Sequence, residues 1–360
     1  MRLEALEVIP YSLPFAEPYL TARGELRERE LLLVRIRADG LEGLGETAAL
    51  SLRRGRPLAA IAEELERTCR SALLDVPFDP GRVWAAVARC RGRGISSEAL
   101  AAVDIALHDL AARSRGVPVW RLLGAEEAEP VICNATLPAA NPTRFRELLD
   151  RWAADGFTTF KLKVGLAGDI AQVATTRQVL GADGRIRIDA NGAWSVEEAG
   201  ERLRLMGRQT IELAEEPVSG LRSMAELRRR TRIPLAADES IAGVRDAREA
   251  ASLDACSLAT VKLSKVGGIA AALEVADEIP VYLSSALEGP VGIAAAAHTV
   301  QALPRTSAAL GLAHGLATER LFSEPVGHGL TAEGDRLLLG DEPGLGVELD
   351  QRALDSRRLG

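Results

Sequence analysis

Phe160-Lys161-Leu162-Lys163-Val164 is the stretch on which the reading of this chain turns. It is a short apolar run whose two lysines stand two residues apart, on one face of a strand. Asp189-Ala190-Asn191 closes a second such run, Glu215-Glu216-Pro217 a third and Asp238-Glu239-Ser240 a fourth, and Lys262 lies in a fifth. From Lys163 the steps are 26, 26, 23 and 24 residues, so each charged group sits at about the same height in successive units. Between the runs lie amphipathic stretches such as 143–155 and 196–206, the second opened by Ser195 as N-cap with Glu198 three residues on. Strands are expected at 131–135, 160–164, 186–190, 211–214, 235–237, 260–263 and 281–283, with an eighth near 308–312. Repeated βα units imply a parallel sheet, and seven or eight of them a closed barrel of the TIM type.

Ahead of the barrel the pattern differs. Residues 1 to about 60 read as strands and turns, with β-type runs at 4–10 and 31–36 and a polar segment, 17–30, between them. Residues 57–115 are helical in pattern, and Leu100, Val103, Leu107 and Leu110 share one face. Gly116-Val117-Pro118 ends this α+β unit. The expected division is a capping domain over 1–118, a barrel over 119–324 and a tail, 325–360, that packs back on the cap.

Composition narrows the function. A net charge of -7 offers no basic surface for nucleic acid. No apolar run approaches the ~18 residues of a membrane span, and the first residues lack the apolar core of a secretory signal, so a cytoplasmic protein is expected. Cys69, Cys90, Cys133 and Cys256 have no Cys-x-x-Cys spacing and read as buried reduced thiols. The 44 basic residues include only four lysines, Lys161, Lys163, Lys262 and Lys265. Arginine is effectively never deprotonated, whereas a lysine amine can lose its proton when its surroundings lower its pKa. A chain that keeps lysine in two tight pairs is expected to need an amine that titrates.

At the C-terminal ends of barrel strands, where active sites lie, Asp189, Glu215 and Asp238 converge between the lysines. Three clustered carboxylates repel one another unless a cation sits among them. All-oxygen ligation suits Mg²⁺, with Mn²⁺ as a substitute, and no His or Cys falls at these positions to suggest zinc. The charge balance leaves room for an anionic small-molecule substrate, a carboxylate. Removing a proton beside a carboxylate creates an enediolate, which a divalent ion stabilises. A lysine whose pKa is lowered by a second lysine and the metal serves as the base.

In this set of motifs the chain resembles the enolase superfamily, in its muconate-lactonising subgroup. The matching residues are Lys161-Leu162-Lys163, Asp189-Ala190-Asn191, Glu215-Glu216-Pro217, Ala237-Asp238-Glu239-Ser240 and Lys262-Leu263-Ser264-Lys265-Val266-Gly267-Gly268. The Ala-Leu-His-Asp-Leu stretch of the first domain and the run from Gly116 to Gly124 match as well. The resemblance implies an α/β fold, a modified (β/α)7β barrel under an α+β N-terminal capping domain. It implies metal ligands at Asp189, Glu215 and Asp238, facing acid/base lysines at Lys163 and Lys262, and a supporting lysine at Lys161. Asn191, Glu239 and Lys265 are expected to bind substrate or to brace the ligands, with Glu216 and Glu239 turned toward Lys265.

Ser284-Ser285-Ala286-Leu287-Glu288 looks like the seventh-strand end of o-succinylbenzoate synthases, as does the run from Gly311 to Thr318, which places Ser284, Ser285 and Glu288 among the substrate-binding or bracing residues. Dipeptide epimerases of the subgroup carry an Asp-x-Asp after the eighth strand, and this chain has none there. The implied activity is a metal-dependent lyase making o-succinylbenzoate for menaquinone synthesis. A racemase, epimerase or muconate-type cycloisomerase with the same apparatus is the alternative, and a Schiff-base aldolase on Lys163 or Lys262 the third. His108, His298, His314 and His328 share no spacing and are assigned no catalysis. Arg23, Arg27 and Arg29 lie in the polar segment, which in this family can close over the site, and read as a solvated face. A homo-oligomer is compatible with the sequence.

Overall fold

The computed structural model describes residues 1–21, 24–49, 55–74 and 76–359. The chain opens with three antiparallel strands, β1 (Ala5–Thr21), β2 (Gly24–Ala38) and β3 (Leu41–Ala48). Both faces of β2 are covered: Leu31 and Leu33 join the core that continues into the barrel, while Leu32, Val34 and Ile36 pack with the helices of the cap. That double burial explains a run that is apolar at nearly every position instead of alternating. Within the polar segment, the described residues 17–21 and 24–30 are strand. They form the outer end of the β1–β2 hairpin, where Tyr19 pairs with Leu26 and Leu20 with Glu25. Arg144 donates from Nε to Glu17 at 2.7 Å, and the Ala139 amide donates to the Leu20 carbonyl at 3.0 Å, so the hairpin is tied to the barrel. Arg23 lies outside the described residues.

The expected cap helices are present, over Leu58–Leu73 with one π-helical turn, Val83–Arg91 and Ser97–Ser114. Ser96 caps the last of these by accepting from the Ala99 amide at 3.3 Å. This helix is buried from Glu98 to Ala112, all the way round. β3 approaches it so closely that a Cβ on Gly45 would stand 1.9 Å from the Ala102 carbonyl oxygen, which only glycine avoids.

Seven parallel strands follow in chain order: after the short β4 (Val131–Ile132) come β5 (Ala135–Leu137), β6 (Thr159–Lys163), β7 (Arg185–Asp189), β8 (Ile211–Glu215), β9 (Leu235–Ala237), β10 (Leu258–Val261) and β11 (Val281–Leu283). The run expected at 131–135 is therefore two elements, its first half pairing outside the barrel. The eighth strand expected near 308–312 is displaced. Those residues are the end of a short helix, Arg305–Ala308, and the turn after it. The barrel is closed instead by His314, bridged to Cys133, and Gly315, bridged to Ser284. Propensity alone could not place this stretch, because its pairing partners are supplied from both sides by tertiary contact.

The tail forms β12 (Gly327–His328), β13 (Thr331–Glu333), β14 (Arg336–Leu338) and β15 (Glu348–Leu349). β14 pairs with β4, while the Leu359 amide donates to the Pro10 carbonyl at 3.0 Å, so the tail touches barrel and cap alike. Two buried carboxylates stitch cap to barrel. Asp104 accepts from the Ile269 amide at 2.5 Å, opening the helix Ile269–Glu278. Glu46 accepts from the Tyr11 hydroxyl and from the Gly292 amide at 2.8 Å. Burial, opposed by those hydrogen bonds, pushes the Glu46 pKa up to about 8. All four cysteines are buried free thiols. Among the described residues, no helix is long and apolar enough to cross a membrane.

Candidate active site

Strand register brings the charged residues to one level. Lys163 on β6 is paired with Asp189 on β7, and Asp189 with Glu215 on β8. Asp238 follows β9 directly and Lys262 follows β10. Each group stands at a strand end because inward positions recur every second residue. Asp189 is contacted by Lys161 at 2.9 Å and Lys163 at 2.7 Å, and Glu215 by Lys161 at 2.7 Å. On the other side, Asp238 is contacted by Lys262 at 2.5 Å and Lys265 at 2.8 Å. All seven groups are buried. Ion pairs this deep are costly to break singly, since the remaining charge is left without compensation in a low-dielectric interior.

Burial alone would lower the Lys161 and Lys163 pKa values, but Asp189, aided by Glu215, raises both above the ordinary value. Lys161 does push Lys163 down, but less strongly than Asp189 pushes it up. Asp189 is held below the usual carboxylate range, burial being outweighed by Lys161 and Lys163. Glu215 goes the other way: burial and the like charges of Asp189 and Asp238 raise it, against Lys161, which divides its charge between two carboxylates.

As the side chains stand, no group of three His, Cys, Asp or Glu among the described residues is spaced to hold a metal ion. The donor set nonetheless fits one. It consists of carboxylates from three consecutive strand ends, with no imidazole or thiol, and their mutual repulsion is what a divalent cation would cancel. Asp189, Glu215 and Asp238 would hold it.

The remaining expected site residues fall into place around this core. Asn191 accepts from Lys163 at 3.0 Å and donates to Glu239 at 3.0 Å, linking the β7 and β9 ends. Glu216 does not turn to Lys265. It accepts from the Asp238 amide at 2.7 Å and from Ser240, because the backbone just past β9 presents those donors to it, and burial raises its pKa to about 7. Lys265 bonds Asp238 itself and the Thr260 carbonyl. Ser285 shares a 2.6 Å hydrogen bond with Thr318, and Ser284 is buried beside Gly315. Glu288 is turned away, accepting from Ser264 at 2.7 Å. Arg29 is buried, not solvated, and donates to the Ala286 carbonyl at 2.7 Å, while Arg27 is exposed beside Glu25.

His314 accepts from the Leu283 amide at 3.0 Å, with its pKa pushed down by burial and Arg187 to about 3, and His298 accepts from the Trp120 amide at 3.0 Å. Both serve the fold. Two residues were not singled out from sequence, Arg187 and Tyr282. Tyr282 donates its hydroxyl to Glu215, and Arg187 lies over the Tyr282 ring. Each stands two residues before an expected site residue, Asp189 and Ser284, so strand alternation pointed to them.

Three carboxylates among four lysines, at the mouth of a capped barrel, define a class of enzymes that draw a proton from a carbon acid. Residues 144–353 match the enolase C-terminal domain-like family, and residues 5–124 match the mandelate racemase / muconate lactonizing enzyme N-terminal domain. The chain belongs to the enolase superfamily, whose enzymes share Mg²⁺-dependent proton abstraction.

Its relatives differ in activity. An o-succinylbenzoate synthase of Thermobifida fusca is 40% identical over 205 residues, which is 55% of this chain and 62% of that protein. A muconate cycloisomerase of Acinetobacter lwoffii is 31% identical over 99% of this chain and 96% of its own. The structure of a dipeptide epimerase from Enterococcus faecalis, complexed with Mg and a dipeptide, superposes with a TM-score of 0.90 at 26% identity, covering 97% of this chain and 100% of that one.

Proposed function

We propose that this enzyme removes the proton beside a substrate carboxylate with Lys163 and, as an o-succinylbenzoate synthase, expels a hydroxyl from a cyclohexadiene carboxylate, a step of menaquinone synthesis. The observation that carries the finer reading is the chemistry of the last two strand ends. Ser284, Ser285 and Thr318 present hydroxyls there, and Glu288 is turned toward Ser264. Glu319, the acid that follows, faces Tyr11 and Glu46, whose pKa values it raises. Among the described residues at these two strand ends a dipeptide's ammonium group would find no carboxylate pair to receive it, whereas a substrate that is only anionic needs none. The 40% identity with a synthase adds support.

Bound Mg²⁺ would stabilise the negative charge that develops on the substrate carboxylate. The protein does the rest. Lys163 and Lys262 approach the carboxylate row from its two ends, through Asp189 and Asp238. Lys163 takes the α-proton and returns one to the departing hydroxyl, a single amine sufficing when both leave from one face. Lys262 stays protonated and offsets the enediolate charge across the mouth. Lys161 and Lys265 hold the carboxylates, and Asn191 orients the Lys163 amine.

The test supplies the diene acid, cis,cis-muconate and several N-acyl amino acids in D₂O to wild type, Lys163→Ala and Lys262→Ala. Dehydration should far outrun any other turnover, and both variants should lose it. Deuterium entering both enantiomers of an amino acid at a higher rate, or faster lactone formation from muconate, would replace the synthase with an isomerase.

A further inference from the structure

Tyr282 lies at the middle of β11, fully buried inside the barrel. Its hydroxyl reaches Glu215 on β8, three strands away. The path is open because the intervening strands are nearly empty there. β9 presents Ala236, level with Glu215, and β10 presents Thr260, level with Tyr282. Ala236 packs in one small cluster with Tyr282, Leu213 and Leu258. Behind the ring stands Arg187, its guanidinium 4.9 Å from the ring centroid. That arginine is itself fixed by Glu212 and by a 2.6 Å bond to the Ala313 carbonyl. The ring is therefore held from below as well as from the side.

The two oxygens of Glu215 have different partners, Lys161 on Oε1 and Tyr282 on Oε2. We propose that Tyr282 is a positioning residue that fixes the plane of the Glu215 carboxylate for divalent-cation binding. A phenol suits this task better than a second cation would. It donates a directed hydrogen bond without neutralising the charge that the ion needs, and its rigid ring cannot follow the carboxylate if it turns. Partners of this kind, one step behind a ligand, typically contribute 10–100-fold to metal affinity. The inference rests on Glu215 being a ligand.

The test is titration of metal-free enzyme with Mn²⁺, followed by electron paramagnetic resonance, for wild type, Glu215→Gln and Tyr282→Phe. Phenylalanine keeps the ring, its packing and its contact with Arg187. Wild type should fill one site. Glu215→Gln should weaken it, and Tyr282→Phe should weaken it about 10–100-fold, with the melting temperature of the metal-free protein nearly unchanged. An affinity within twofold of wild type in Tyr282→Phe, while Glu215→Gln is weakened, would overturn the positioning role alone, whatever happens to the melting temperature. No Mn²⁺ bound by wild type, or none lost in Glu215→Gln, would overturn the ligand assignment and this inference with it. Should Tyr282→Phe prove insoluble, Tyr282→Leu removes the same hydroxyl with another apolar side chain. The same weakening is then expected, and its absence is equally decisive.

Discussion

Glu46→Gln should make the protein more stable at pH 8 and leave it nearly unchanged at pH 5. The carboxylate is completely buried between cap and barrel, where it accepts from Tyr11 and Gly292 and faces Glu288 and Glu319. Burial, with the two acids adding to it, raises its pKa from 4.5 to about 8 in the folded chain. Between those values the folded state keeps a proton that the unfolded state has already released, so stability falls as pH rises. Integrated from pH 5 to pH 8, the loss from this one group comes to about 3–4 kcal/mol. Glutamine's one carbonyl oxygen can accept from the Gly292 amide while its NH2 group donates to the Tyr11 oxygen, and it has no charge to bury. The measurement is equilibrium urea unfolding of wild type and variant at both pH values. The variant should gain about 3 kcal/mol at pH 8, and the gain should shrink to a fraction of that at pH 5. An equal effect at both pH values, or a loss at pH 8, would refute the claim that Glu46 is protonated in the fold.

Two more outcomes are expected. Chelation with EDTA should abolish turnover and added Mg²⁺ or Mn²⁺ should restore it; full activity in metal-free protein would remove the metal from the reaction. Limited proteolysis should cut the hairpin end between residues 18 and 30 first, with product protecting it, and Arg144→Ala should speed the cut by releasing Glu17. Equal cleavage with and without product would show that this segment does not close over the site.

The barrel was legible because its charged residues repeat at the spacing of a βα unit, and each strand carries them at its end. The helix Val196–Met206 could be placed to the residue, since Ser195 and Glu198 sign its start in the local sequence. The closing strand was not legible. His314 and Gly315 are held by Cys133 and Ser284, which lie far off along the chain, and nothing in 308–316 itself distinguishes strand from turn. The hairpin failed to show for a related reason: polar residues such as Glu25, Glu28, Arg29 and Glu30 pair by backbone, and composition does not report backbone pairing. Within the site, the identities of the charged residues were readable but their partners were not. Whether Glu216 meets Lys265 or the Asp238 amide depends on the direction of one loop, a matter of ångströms that spacing along the sequence does not carry.

The tail's placement restricts how such enzymes can be recombined. Arg358 bridges to Tyr11 in the first strand, and β14 lies against β4 at the foot of the barrel. A chimera that exchanged only the N-terminal segment for that of a relative would leave the new hairpin beside a foreign C-terminal chain, with the side chains on the two sides of the Tyr11–Arg358 bridge no longer matched. The last residues of the chain thus belong with the first strand, although the barrel separates the two in sequence. Any grafting of specificity through the cap must move both ends of the chain together.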